Sequence, residues 1–250
     1  MQQQSNTYII LFAVGLTIVI GGLLSITSVS LKPLQDKQVE LDTKKKILSA
    51  FMDITPYQED PNQVLEIYSQ KVKSYVVDYE GNPVTKDRRG GDLVAEKVNV
   101  AKNSKLPAEE RFYPVFQAMD GDNVIAYIFP MHGQGLWDWI NGFIALESDL
   151  NTIMGVSFDH KTETPGLGAR IASDQIQDRY LGKKIYNQHG NLVSVEMIKG
   201  EKGDPLDDHH VDGMSGATLT GNGVNAMLMK YLTSYQNFFN KVKSGGVAVL

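Results

Sequence analysis

Residues 212–223 read DGMSGATLTGNG and lead directly into the clearest helical pattern after residue 31. The pattern runs from residue 223 to 242, and its apolar residues recur at steps of three and four: Val224, Leu228, Tyr231, Leu232, Tyr235, Phe238 and Val242. This spacing places them on one face of a helix that packs against a core. The glycines before it predict a tight turn at the start of the helix.

Two interpretations of this turn are open. In the first, Ser215 or Thr218 caps the helix, and the glycines only free the entry turn. In the second, exposed N–H groups and the positive end of the helix bind a phosphate, to which a threonine hydroxyl could be joined. The G-K-[ST] element of a phosphate-binding loop is missing, so nucleotide hydrolysis is not expected.

A second segment, residues 160–168, reads HKTETPGLG and follows a predicted strand at residues 153–158. Thr164-Pro165-Gly166 is typical of a type II turn. The same residues also let backbone amides approach a ligand closely. Glu163 could then accept a hydrogen bond from a ligand, and His160 could carry a proton.

The third segment, residues 133–139, reads GQGLWDW. Two indoles within three residues could form the wall of a site for a flat ligand. The alternative for Trp137 and Trp139 is a place in the core beside a glycine turn.

The beginning of the chain carries no charged side chain from Gln2 to Leu31, and Tyr8 to Leu31 is strongly apolar. About 20 helical residues cross a hydrocarbon core of about 30 Å, so this run predicts a membrane anchor. A cleaved signal peptide is the alternative. Against it, no Lys or Arg precedes the run and no Ala-x-Ala-like site follows it.

Composition excludes several classes of function. The net charge is −5, which does not favour nucleic-acid binding. The absence of cysteine excludes disulfides, zinc fingers and iron–sulfur clusters. Acidic and histidine residues at 204–212 are better explained by a solvated loop than by a metal site. A Ser/His/Asp hydrolase built from Ser215 with His160 or His210 lacks the G-x-S-x-G elbow.

The remaining pattern predicts an α+β fold. Helices are expected at residues 32–60, with starts at Pro33 and Asp42, and at residues 63–75 and 174–181. Strands are expected at 112–118, 124–129, 153–158 and 193–198, and Asp120-Gly121-Asp122 predicts a hairpin turn between the first two. Four regions follow: an anchor (1–31), a helical stalk and linker (32–90), a ligand-binding domain (91–243) and a tail (244–250).

Taken together, HKTETPGLG, DGMSGATLT and GQGLWDWINGFIAL resemble the FMN-binding domain family found in the NqrC component of the sodium-pumping NADH:quinone oxidoreductase and in its relative RnfG. The resemblance covers residues 91–242, and the N-terminal anchor extends it to the whole chain. The helical stretch after residue 31 favours the NqrC branch of the family. An RnfG-like component of a ferredoxin:NAD oxidoreductase complex is the alternative.

The resemblance implies FMN attached covalently to Thr218 through a phosphodiester, because the family attaches it to the last hydroxyl residue of a D-G-x-[ST]-G-A-[ST] pattern. A separate, magnesium-dependent flavin transferase would move FMN from FAD to this threonine. Leu167 would pack against the isoalloxazine and Thr164 would offer a hydrogen bond. The implied cofactor-binding set is Asp212, Ser215, Gly216, Ala217, Thr218, Glu163, Thr164, Gly166, Leu167, Gly168, His160 and Trp137, with no catalytic residue and no metal ligand.

The implied function is a tethered electron carrier between neighbouring subunits in the bacterial inner membrane, in contact with lipid through one span. No G-x-G-x-x-G follows a strand, so NADH should bind elsewhere. The family places the main domain in the periplasm, whereas Lys32, Lys37 and residues 44–46 favour the cytoplasmic side. A non-redox assembly module and a free-standing flavin reductase are the alternatives.

Overall fold

The structure is a computed structural model, and it describes residues 5–203 and 206–246. The chain divides into two units, residues 1–42 and residues 43–250. From Asn6 onward, the first unit is part of helix α1 (Asn6–Ser49). Its most apolar window of 18 residues has a mean hydropathy of 2.7, and none of that window is buried. By length and composition, this helix is a candidate membrane span.

Two threonine hydroxyls of the apolar stretch bond to the helix itself. The hydroxyls of Thr17 and Thr27 each donate to the carbonyl four residues earlier, at 2.8 Å. The helix starts predicted at Pro33 and Asp42 are wrong, because α1 runs through both residues. Pro33 removes only one N–H from the helical ladder, and the residues after it are rich in good helix formers. The helix ends at Ser49, well before residue 60.

The second unit is built on a six-stranded antiparallel sheet with the order β2-β1-β3-β4-β5-β6. Its strands are β1 (Val72–Val77), β2 (Pro83–Val84), β3 (Tyr113–Asp120), β4 (Asn123–Gln134), β5 (Trp139–Glu147) and β6 (Ile153–His160). The predicted hairpin is confirmed, since Asp120 pairs with Asn123 across a two-residue turn. The helix predicted at 63–75 is wrong at its C-terminal end: α2 (Pro61–Lys71) gives way to β1, whose residues pair with β3.

One face of the sheet packs against α5 (Thr218–Ser234) and α6 (Gln236–Lys243). The ring of Phe129 on β4 lies 4.6 Å from that of Tyr235 and 5.2 Å from that of Phe239, between centroids. The long helix predicted from residue 223 to 242 is therefore present, but it begins at Thr218 and is divided at Tyr235.

The opposite face lies against the end of α1 and against α2. Ser49 Oγ donates to Ser157 Oγ at 3.1 Å, and Lys46 Nζ pairs with Asp159 at 2.5 Å.

The shorter elements are α3 (Val100–Asn103), α4 (Asp174–Gln177), the parallel pair β7 (Glu196–Met197) and β8 (His210–Val211), and 3-10 turns at Ala95–Lys97, Ala108–Glu110, Gly168–Ala172 and Asp178–Tyr180. Of the strand predicted at 193–198, only β7 forms. The functional division at residue 91 stays a prediction, although β1 and β2 extend the same sheet.

Candidate functional site

The three predicted segments meet at one end of the sheet. Residues 133–139 connect β4 to β5, and residues 160–168 follow β6. Trp139 pairs with Gln134, and Ile140 pairs with His160, so the end of β4, the start of β5 and the end of β6 lie side by side. The segment at 212–218 reaches the same place at the beginning of α5.

Glu163 joins the three segments. Glu163 is 4% exposed, and its carboxylate accepts hydrogen bonds from the backbone N–H of Trp137 at 3.0 Å and from Thr220 Oγ1 at 2.6 Å. Burying a carboxylate is costly unless donors replace its water, and these two donors come from different segments. The buried group therefore fixes both the glycine–Trp loop and the first turn of α5.

Trp137 is held firmly although it is 67% exposed. Besides its backbone bond to Glu163, its indole Nε1–H donates to Thr164 Oγ1 at 3.2 Å. Trp139 points elsewhere, with its ring 5.5 Å from that of His132. Of the two indoles, Trp137 is thus the one that is hydrogen-bonded to Thr164, while the ring of Trp139 lies 5.4 Å from Lys161 Nζ.

Gly168 and Gly216 show how closely the loops approach. A Cβ at Gly168 would overlap the carboxylate of Glu163, and one at Gly216 would lie 2.9 Å from Leu167 Cδ2. Gly216 also has φ +75°, a left-handed conformation that favours glycine. Leu167 therefore lies directly against the loop that carries Thr218, with 41% of its surface still exposed.

Thr218 is the first residue of α5 and is half-buried. The N-cap position is Ala217, and no side chain caps it with a hydrogen bond. The capping role considered for Ser215 or Thr218 is therefore not seen, and Ser215 is exposed. The first N–H groups of a helix need a partner from outside, and an anion such as phosphate suits them.

Asp212 is used within the protein. Its carboxylate accepts hydrogen bonds from the N–H groups of Lys202 at 2.9 Å, Gly203 at 2.7 Å and Gly213 at 3.1 Å. Partial burial alone would raise the pKa of Asp212. The three N–H donors and the charge of Arg179 outweigh burial and hold this pKa below its ordinary value. Asp212 thus shapes the loop as an ionised group.

His160 lies at the end of β6 and is half-buried. Within the described residues, its Nδ1 has no hydrogen-bond partner, and no hydrogen bond links its ring to the other predicted site residues. The described ranges also contain no group of three His, Cys, Asp or Glu residues that could hold a metal ion. His210 pairs with Asp207 at 2.7 Å, and Asp204 lies outside the described residues.

Three contributors to the site carry no clear signal in the sequence. Thr220 lies outside the hydroxyl motif, yet it bonds the central carboxylate. Arg179 and Glu201 lie in segments without any motif, and they meet across 22 positions of sequence. Spacing does not reveal such contacts, because they depend on how the loops pack.

This arrangement combines a fixed indole, a glycine-rich turn and an uncapped helix start, and it suits a ligand with a flat ring system and a phosphate group. Residues 135–233 match the FMN-binding domain family. The match assigns the folded body of the chain to an FMN-binding class of protein.

More specific relatives share nearly the whole chain. The NqrC protein of the Na(+)-translocating NADH-quinone reductase from Vibrio vulnificus (strain YJ016) is 31% identical over 94% of both chains, and that from Neisseria meningitidis serogroup A is 30% identical over 97% of this chain and 95% of its own length. The crystal structure of the Parabacteroides distasonis counterpart has a TM-score of 0.71 at 32% identity, covering 84% of this chain and 96% of that one. Shewanella oneidensis NqrC, at 24% identity and TM-score 0.69, supports the fold. The chain belongs to the NqrC family of Na(+)-translocating NADH-quinone reductases, which confirms the resemblance and the α+β fold class.

Proposed function

We propose that this protein carries FMN as the redox group of a sodium-translocating NADH-quinone reductase and passes electrons between neighbouring subunits. Family membership over almost the full length supports a role within that complex. When bound, FMN supplies the redox chemistry, and the protein supplies position and electrostatics. The other subunits are then its partners, and NADH binds elsewhere in the complex.

The FMN is proposed to be joined covalently to Thr218. The observation that carries this assignment is the uncapped start of α5, where a half-buried threonine hydroxyl lies beside N–H groups that need an acceptor. In the joining step, Thr218 Oγ1 forms a P–O bond to the FMN phosphorus of FAD. The pyrophosphate P–O bond breaks, AMP leaves, and the hydroxyl proton passes to a base of the magnesium-dependent flavin transferase.

The other predicted residues then have distinct uses. Trp137 and Leu167 offer apolar surfaces to the isoalloxazine, and Thr164 offers its hydroxyl. Glu163 joins the loop at Trp137 to the first turn of α5 through its two hydrogen bonds. Gly216 and Ser215 leave the approach to Thr218 open, while Asp212 shapes the loop. His160 stays a predicted cofactor contact.

The test is the intact mass of the full chain coexpressed with the transferase. We expect a gain of about 0.44 kDa, the mass of an FMN group, located by peptide mapping at Thr218. Thr218→Ala should lose this gain, whereas Thr233→Ala, which removes an exposed hydroxyl further along α5 and outside the motif, should keep it. A flavin that survives Thr218→Ala would contradict the attachment site, and an unmodified parent chain would favour a non-redox assembly module.

The apolar half of α1 is proposed as a single span of the bacterial inner membrane, in contact with lipid, with the main domain in the periplasm. The span itself is supported by length and composition. The lysines that follow it favour the opposite orientation, so the side is best tested directly. Protease added to spheroplasts should digest the main domain; a domain that stays intact until the cells are lysed would place it in the cytoplasm.

A further inference from the structure

A cluster of two arginines and one glutamate lies beneath the loop that carries Thr218. Glu201 accepts from Arg170 through both carboxylate oxygens, at 2.8 and 3.0 Å, and from Arg179 Nη2 at 2.6 Å. The three side chains are 17–25% exposed, far less than the exposed pair of Lys184 and Asp208. Planar, two-pronged contacts of this kind fix the orientation of a guanidinium.

Arg179 uses its other terminal nitrogen on the backbone of the attachment motif. Its Nη1 donates to the carbonyl of Asp212 at 3.0 Å and to that of Gly213 at 2.7 Å. Arg179 thus binds the first two residues of DGMSGAT, and Glu201 prevents its guanidinium from turning away. Within the described residues, Arg179 makes these contacts without a hydrogen bond to Thr218 itself.

The segment that follows Glu201 also contacts the attachment motif. The carboxylate of Asp212 accepts from the N–H groups of Lys202 and Gly203, which directly follow Glu201 in the chain. A Cβ at Gly213 would overlap the carbonyls of residues 198 and 200, so the two segments lie in close contact. Residues 212 and 213, at the start of the motif, are therefore held both by Arg179 and by the segment after Glu201, while residues 215 and 216 remain exposed.

The charges of this cluster persist over the whole physiological pH range. Hydrogen bonds from Arg170 and Arg179 lower the pKa of Glu201 to about 2. Glu201 is consequently ionised wherever a transferase would act, so both arginines keep their acceptor.

We propose that Arg179, oriented by Glu201, is a positioning residue for flavin attachment: it fixes the backbone of Asp212 and Gly213 so that the Thr218 hydroxyl is presented to the transferase. This role rests on the proposed covalent attachment at Thr218. It is consistent with the general rule that a displacement of about 1 Å in a reacting group lowers a rate by about 100-fold.

The experiment uses the full chain, purified in detergent without transferase, and then incubated with purified transferase, FAD and Mg²⁺. We expect Arg179→Gln to lower kcat/KM for flavin attachment by about 10- to 100-fold. Arg179→Lys should recover part of the rate. Glu201→Gln should also slow attachment, and the double variant should be no slower than Arg179→Gln, because the two groups act as one unit.

Arg88→Gln is the matched control. Arg88 also donates to a carboxylate, at 2.9 Å, and to a backbone carbonyl, at 2.7 Å, but both belong to Glu110, outside the attachment motif. Hydrogen exchange of unmodified protein supplies a second readout, in which residues 212–218 should exchange faster in Arg179→Gln than in Arg88→Gln.

The outcomes distinguish the attachment of FMN to Thr218 from the positioning role of Arg179. If the parent chain and Arg88→Gln gain no flavin, the attachment proposal fails and the positioning role fails with it. If both gain flavin and Arg179→Gln gains it equally fast, or if exchange at residues 212–218 is unchanged, the positioning role alone is overturned. If Arg179→Gln does not fold, the flavin-attachment rates of Arg179→Lys and Glu201→Gln test the positioning role in its place.

Discussion

At the scale of single residues, the central group is Glu163. Its carboxylate is buried, and within the described residues it forms no ion pair with a lysine or arginine. Two neutral donors, the N–H of Trp137 and the hydroxyl of Thr220, replace the lost water instead. Each carboxylate oxygen therefore accepts one hydrogen bond, and an amide at this position would keep only one of the two acceptor oxygens.

We expect Glu163→Gln to lower the free energy of unfolding by about 1–3 kcal/mol, because the Thr220 hydroxyl must turn to accept from the new NH₂ group and its own buried hydrogen loses its acceptor. The measurement is urea denaturation of unmodified protein, followed by tryptophan fluorescence. Glu109→Gln, at an exposed position, is the control and should change the midpoint little. Equal midpoints for the two variants would show that the buried contacts carry little stability.

His132 gives a prediction on pH. Burial, together with the nearby positive charges of Lys230 and Lys105, lowers the pKa of His132 from 6.5. The unfolded chain therefore binds the proton more readily, and the free energy of unfolding should fall as pH drops through 6.5 toward the lower folded pKa. At pH values well above the ordinary histidine pKa this penalty is absent. NMR titration should give a midpoint below 6.5, and His132→Gln should flatten the dependence of stability on pH in this range; a midpoint at 6.5 or above would contradict the assignment.

At the scale of elements, the position of α5 depends on its close approach to β4. A Cβ at Gly223 would overlap the carbonyl oxygen of Gln134, and one at Gly133 would lie 2.8 Å from Met227 Cβ. Glycine on each element lets helix and strand approach closely. Because Thr218 and Thr220 are on the first turn of the same helix, this approach also sets their distance from the carboxylate that joins the loops.

Gly223→Ala is therefore expected to destabilise the protein by about 1–3 kcal/mol, since the clash outweighs the gain of about 1 kcal/mol in helix propensity. Asn222→Ala introduces alanine on the exposed side of the same helix without the clash, and it should be neutral or slightly stabilising. Thermal unfolding measures both. A stabilised Gly223→Ala would mean that α5 can shift away from β4 without loss.

The sequence predicts those elements whose signals are local. The hairpin at Asp120 to Asn123, the apolar first helix and the helix after Thr218 follow from turn residues and periodicity. Strand β5 escapes prediction, because its first residue, Trp139, belongs by pattern to the glycine loop. Strand β1 has the spacing of a helix end, and only its pairing with β3 decides between the two. For the site, motifs indicate the three segments, but the carboxylate that joins them to Thr220 depends on packing.

At the scale of the whole molecule, the apolar run and the folded body occupy different units. The sheet, both of its covering layers and all site residues lie within residues 43–250, while the uncharged stretch lies within residues 1–42. The candidate span and the proposed cofactor site thus lie in different units of the chain.

A variant that lacks residues 1–31 is expected to remain in the supernatant after high-speed centrifugation without detergent, since the candidate span has been removed. Its circular dichroism should retain the strand signal of the six-stranded sheet. The full chain, prepared in parallel, should sediment with the membranes. A truncated protein that still sediments with membranes, and not as aggregate, would reveal a second means of membrane attachment.

The order in which the parts of the site leave the ribosome follows from the contact between Glu163 and Thr220, which spans 57 positions. Strands β3 to β6 are neighbours both in sequence and in the sheet, so they can pair one after another during synthesis. The carboxylate lacks its second donor until the first turn of α5 has been made. If FMN is attached to Thr218 as proposed, attachment therefore follows the synthesis of all six strands of the sheet.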